Sequence, residues 1–138
     1  MSSENSRQPV FYAGAFLYNP KTQSVLLHLR DEQVAVHPNQ WGFFGGTSEN
    51  DETPEACVIR ELKEELDIDV EKNQLKKLCD YLNEQRGTWR HVFFIESDLE
   101  KSAMRLGEGA DFDWIPIAKV FEYNLTEKTK RDLKTFLH

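Results

Sequence analysis

The chain has 138 residues, the size of one domain and long enough to bury a core of its own. Its 17 lysines and arginines stand against 24 aspartates and glutamates, and the resulting net charge of −7 argues against a surface that holds a nucleic-acid polymer by simple attraction. An apolar share of 39 % with 30 % charged residues is that of a soluble globular protein, and no apolar stretch approaches the length of a membrane span.

Residues 1–8 are polar and predict a flexible N-terminus, leaving 9–138 as a single domain. The start MSSENSRQP lacks the apolar run of a signal peptide, and Cys57 and Cys79 are the two cysteines of the chain. Both observations predict a cytoplasmic, reducing location with free thiols. Val10 to Tyr18, VFYAGAFLY, is apolar, aromatic and closed by Asn19-Pro20, which predicts a buried strand. A turn over Asn19 to Gln23 leads into a second strand, Ser24–Arg30. Asp31 to Gln40 is a predicted loop, and Trp41 to Phe44 a short strand ending in Gly45-Gly46, where the chain must turn sharply.

Thr53-Pro54 then opens a helix: a hydroxyl that can cap free N–H groups, followed by a proline suited to the first helical position. Glu55 to Leu66 continues it with strong helix formers and no internal Gly or Pro. Ile59, Leu62 and Leu66 read as its core face. Glu61, Glu64 and Glu65 stand at i, i+3 and i+4 and so share another face. Three close like charges repel unless something cationic sits among them, and an oxygen-rich cluster of this kind suits a hard divalent cation such as Mg²⁺ or Mn²⁺. A merely solvated acidic face is the alternative on spacing alone. Arg60 adjoins the cluster and can pair with one of its carboxylates. Cys57 lies one turn before Glu61 and reads as a small packing residue.

Past the helix, Gln74–Glu84 and Thr88–Glu96 predict two strands joined near Gln85-Arg86-Gly87. The run Val92-Phe93-Phe94-Ile95 predicts cover on both faces of the second. Asp98 to Asp111 is a loop and Phe112 to Ile115 a last short strand. Ile117–Phe121 is a helical turn, and Thr126–Leu137 a terminal helix with Leu133, Phe136 and Leu137 available for packing.

From Gly46 the order is Gly, five residues, Glu52, seven residues, then Arg60-Glu61-Leu62-Lys63-Glu64-Glu65-Leu66-Asp67-Ile68. This resembles the signature box of the Nudix hydrolase family over Gly46–Ile68, with Asp67 where the family has Gly. Asp tolerates the left-handed conformation that a post-helical position often needs, so a modest stability cost and little loss of chemistry are expected. The resemblance implies an α+β Nudix fold, an α/β/α sandwich around a mixed β-sheet. It also implies a Mg- or Mn-dependent enzyme that cleaves a nucleoside diphosphate linked to another moiety.

By position in that box, Glu61, Glu64 and Glu65 would bind the metal, joined by the backbone carbonyl of Gly45. Glu52 and Arg60 would tie the loop to the helix and orient the carboxylates. Family members often draw one more carboxylate, a base or metal ligand, from a later loop. Glu108 in GEGADFDW is the candidate here, with Asp111 and Asp113 behind it, and a plain loop charge remains the alternative. Arg30, Phe43 and Asn124 resemble the purine contacts of the branch that hydrolyses oxidised purine nucleoside triphosphates. Each also has a structural explanation: surface charge, core and turn residue, respectively. Phe44 replaces a Pro common just before the double glycine, which would reshape the pocket floor, and His28, Trp89 and His91 could line a pocket. The expected partner is a small nucleotide, with a (modified) nucleoside triphosphate first. Nucleotide sugars, dinucleoside polyphosphates and a non-catalytic nucleotide sensor stay open, as does a homodimer.

Overall fold

In this computed structural model residues 9–30, 38–107 and 109–138 are described. The predicted flexible start, residues 1–8, and most of the predicted loop from Asp31 to Gln40 lie outside them. β1 (Phe11–Asn19) and β2 (Ser24–Leu29) form a hairpin with Leu17 opposite Leu26. Beyond that pairing the two strands part, and the next segment fills the fork. β3 (Trp41–Gly42) pairs with β2, whereas β4 (Phe44–Thr47) pairs with β1 and sets Gly45 opposite Gly14. The single strand expected over Trp41–Phe44 is therefore broken at Phe43, because there the chain passes from one partner strand to the other.

β5 (Lys76–Asn83) and β6 (Thr88–Glu96) form the second hairpin, and β7 (Asp111–Pro116) runs antiparallel along β2. β6 lies parallel to β1, from Phe11 opposite Trp89 to Tyr18 opposite Glu96. One parallel pair among antiparallel ones makes the sheet mixed, as expected, and a parallel pair requires a long crossover. α1 (Pro54–Leu66) lies within that crossover.

Alternation along the strands divides the core in two. Ala13, Ala15 and Leu17 join Leu26, Phe44, Phe93 and Ile95 against Val58, Leu62 and Leu66 of α1. On the other face Phe16 joins Val25, Leu27, Phe43 and Val92 against Leu133 and Phe136 of α3 (Glu127–Phe136). The result is the expected helix–sheet–helix sandwich, each buried leucine or phenylalanine contributing about 1.5–3 kcal/mol. Ile117–Val120 forms a short helix, α2, between β7 and α3. No described helix is long and apolar enough to cross a membrane.

α1 starts as its sequence dictates: Thr53 Oγ1 accepts from Ala56 N at 3.1 Å, and Pro54 takes the first helical position. Its buried stripe is Cys57, Val58, Leu62, Glu65 and Leu66, so Ile59, expected in the core, is only half-buried. The helix meets the sheet rotated toward its Glu65 edge. Leu137 is also corrected: it follows the last turn of α3 and is exposed.

Asp67 caps α1 in the left-handed region, φ 55° and ψ 41°, with its N–H donating to Lys63 O at 3.0 Å. A side chain there carries a steric cost that glycine lacks. Asp67→Gly is expected to raise the Tm by about 2–6 °C in thermal unfolding, and Asp67→Ala to lower it. A lower Tm for the glycine variant would show that the ion pair of the Asp67 carboxylate with Lys63 Nζ, at 3.0 Å, outweighs backbone strain.

Candidate active site

Arg60 sits at the centre of the acidic face of α1. Its Nε and Nη2 donate to the two oxygens of Glu52 at 2.7 and 3.0 Å, a bidentate pair that ties the loop before the helix to the helix. Nη1 lies 3.1 Å from Glu61 Oε2 and 3.3 Å from Glu64 Oε2, with Glu49 at 3.5 Å. Nη2 also reaches the carbonyl of Thr47, at 3.3 Å. The guanidinium holds the Glu52 carboxyl below its ordinary range, and Glu52 in turn holds Arg60 more firmly protonated. Burial, reinforced by Glu52, pushes the Cys57 thiol up to about 12, which fits its reading as packing rather than chemistry.

The three glutamates are not equivalent. The Glu64 side chain is 56 % exposed and that of Glu61 13 %, while Glu65 is buried. Glu65 turns toward the sheet, where its Oε2 accepts from Gly45 N at 3.1 Å and its Oε1 lies 3.6 Å from His28 Nδ1. Glu61 lies against Gly46: a Cβ there would come within 2.5 Å of Glu61 Oε2, so a side chain at 46 would push the carboxylate from this place. The loop after β6 closes on the same helix end, with Gly107 N donating to Glu65 O at 2.8 Å. A Cβ at 107 would overlap the Glu64 carbonyl. Glu108 itself lies outside the described residues. Asp111 binds Lys101 at 3.2 Å and the Asp113 carboxylate accepts from Trp114 N at 2.9 Å, so both runners-up are engaged elsewhere.

Among the described residues no three His, Cys, Asp or Glu side chains are gathered closely enough to hold a metal ion. Arg60 Nη1 stands between Glu61 and Glu64 instead. The donor set nevertheless fits a hard divalent cation. It consists of oxygens, and two of its carboxylates already converge on one positive charge.

Gly45 and Gly46 also line a cleft of about 710 Å³ on the α3 side of the sheet. Among the described residues its charged lining is Arg30, Arg86, Arg90 and Lys128, all cations on a chain of net charge −7. Of the three expected base contacts, Arg30 and Phe43 line the cleft, although Phe43 is buried and stacked on Phe16 at 5.0 Å. Asn124 does not. Its amide is used at both ends: Nδ2 donates to Asn39 O and Oδ1 accepts from Gln40 Nε2, each at 3.3 Å. Phe44 faces α1 and stacks on His28 at 5.0 Å, so neither shapes the cleft floor. Trp89 is exposed and His91 pairs with Asp80 at 2.7 Å, and neither lines the cleft.

Sequence reasoning missed Tyr12 and Arg90 in the lining. Period-2 alternation carried the signal, since it puts Arg90 on the inward face shared by Val92 and Phe94.

A family model described as NUDIX domain matches residues 9–137. The chain belongs to that family. It is a Nudix hydrolase, an enzyme acting on phosphoanhydride bonds. A dihydroneopterin triphosphate diphosphatase from Haemophilus influenzae is 27 % identical, the match covering 88 % of this chain and 83 % of that one. The NUDIX domain of Shewanella oneidensis NrtR, solved with ADP ribose, superposes with a TM-score of 0.75 at 20 % identity, over 99 % of this chain and 91 % of that one. A bifunctional NMN adenylyltransferase/ADP ribose pyrophosphatase from Francisella tularensis, solved with AMP and a Mn ion, gives 0.71 at 25 % identity. That match covers 95 % of this chain but 42 % of the longer protein.

Because Glu52 is held below its ordinary value of 4.5, its contribution to stability is full above that pH and is lost as pH falls through the depressed value. Wild type is expected to melt higher than Glu52→Gln at neutral pH, the gap narrowing below pH 4.5. A gap constant down to pH 3 in thermal melts would contradict this, pH 3 being roughly a unit or more below an ordinary glutamate.

Proposed function

We propose that this Nudix hydrolase is a Mg- or Mn-dependent pyrophosphohydrolase of a nucleoside-triphosphate-type substrate, giving the monophosphate and pyrophosphate. The observation that carries the reading is the contact of Glu61 with Gly46, which sets a carboxylate cluster at one end of a cationic cleft. A relative that is a triphosphate diphosphatase favours this substrate class over nucleotide sugars.

In this reading Glu61, Glu64 and Glu65, with the Gly45 carbonyl, would hold the cation, and Glu108, next in the chain to Gly107, would add a further carboxylate. The bound cation would screen the phosphate oxygens and lower the pKa of the attacking water. Arg60 and Glu52 keep the carboxylates in position. Arg30, Arg86 and Lys128 attract the polyphosphate into an otherwise acidic molecule. A carboxylate takes the proton of water as its oxygen bonds to phosphorus, and the bridging oxygen leaves with pyrophosphate.

The test is hydrolysis with Mg²⁺ of nucleoside triphosphates, oxidised purine triphosphates, dihydroneopterin triphosphate, ADP-ribose, dinucleoside polyphosphates and nucleotide sugars. A triphosphate is expected to be the best substrate and to release pyrophosphate. Glu61→Gln and Glu64→Gln are each expected to lower kcat on the order of 10²–10³-fold. Release of inorganic phosphate, or variants as fast as wild type, would overturn the proposal. Tight binding without cleavage would instead support the sensor alternative.

A further inference from the structure

Arg90 is a buried cation that the chemistry proposed above does not use. Its Nε donates to Asp132 Oδ2 at 3.0 Å, and Asp132 on α3 is fully buried. The other oxygen of Asp132 accepts from the Tyr81 hydroxyl at 2.9 Å. The guanidinium lies over the Tyr12 ring, 4.6 Å from its centroid, and 5.8 Å from that of Phe43. Tyr81, Arg90, Tyr12 and Thr47 are register partners on four neighbouring strands, so they form one row across the sheet.

A buried ion pair is poor value for stability, since well-packed apolar residues of similar volume often do as well. This pair borders a cleft, and Arg90 lines it. The hydrogen bonds of its side chain within the described structure all come from Nε, which leaves both terminal nitrogens without an acceptor there. Asn83 Oδ1, on another lining residue, is the one buried side-chain oxygen or nitrogen without a partner among the described residues. The cleft thus presents two accessible donors of Arg90, with an unmatched acceptor buried in its wall.

We propose that Arg90, clamped by Asp132, is a specificity-determining residue that donates both terminal N–H groups to the carbonyl oxygen and adjacent ring nitrogen of a fused 2-amino-4-oxo heterocycle. This rests on the triphosphate reading and names the ring it carries. Three physical points select a ring rather than a phosphate. Asp132 already balances the charge of Arg90, so an anion gains less there than at Arg86 or Lys128. The planar fork matches two adjacent acceptors, and the aromatic rings beside it favour a flat ligand. Guanine and pterin rings both present that pair of acceptors, whereas adenine presents an amino donor beside its ring nitrogen.

The experiment is equilibrium titration of wild type, Arg90→Gln and Arg90→Lys with GMP, neopterin and AMP as probes, with thermal unfolding of each variant. Arg90→Lys keeps the charge opposite Asp132 and so reports even if Arg90→Gln fails to fold. Wild type is expected to bind GMP or neopterin about 10–100-fold tighter than AMP, and the variants to reduce that preference to roughly threefold or less. The tighter of the two oxo rings identifies the source of the ligand. Folded variants that keep the preference, or a wild type without one, would overturn the proposal. Binding of these probes does not require turnover, so its outcome is separate from that of the hydrolysis assay.

Discussion

Crowded carboxylates on one helix face set the terms for the rest of this molecule. Glu61, Glu64 and Glu65 follow from a run of good helix formers, but at α-helical spacing their charges repel. At about 4 Å two unit charges interact by roughly 4 kcal/mol in a surface-like dielectric, a large share of a domain's stability. The chain meets this by setting Arg60 among Glu49, Glu52, Glu61 and Glu64, all within 3.5 Å. It also turns Glu65 away, into a bond with the backbone of β4. The same concentration of carboxylate oxygens is of the kind that suits a hard divalent cation.

That helix serves one face of the sheet, while the cationic cleft opens on the other. The two meet where β4 runs through Gly45 and Gly46, the residues that permit carboxylates and cleft to share a boundary. The fork between β1 and β2 is what brings β4 there. A shift of β4 by one residue would exchange the faces of its side chains and bury Gly46 away from Glu61. Fold and chemistry are therefore linked through strand register as much as through the helix.

The sequence made α1, its caps, the two hairpins and the terminal helix legible, because each depends on neighbours within a few residues. Features set by distant partners were not. The break at Phe43 depends on two strands parting, and the rotation that half-exposes Ile59 depends on how α1 meets the sheet. Asn124 has the side chain of a base-reading residue, yet its amide is consumed bracing the Asn39–Gln40 segment. Arg90 and Asp132 lie 42 positions apart, and no local pattern announces their pairing. What local reading could supply was the alternation that turns Arg90 inward, a buried cation in need of a partner.

The central claim is that Glu61 and Glu64, whose carboxylates converge beside Arg60, would hold a divalent cation. Its most direct test is a titration with Mn²⁺, following the free ion by electron paramagnetic resonance in wild type and Glu61→Gln. The account predicts a bound ion in wild type whose affinity falls about 10-fold or more in the variant. Equal binding by both proteins, or none by wild type, would contradict it.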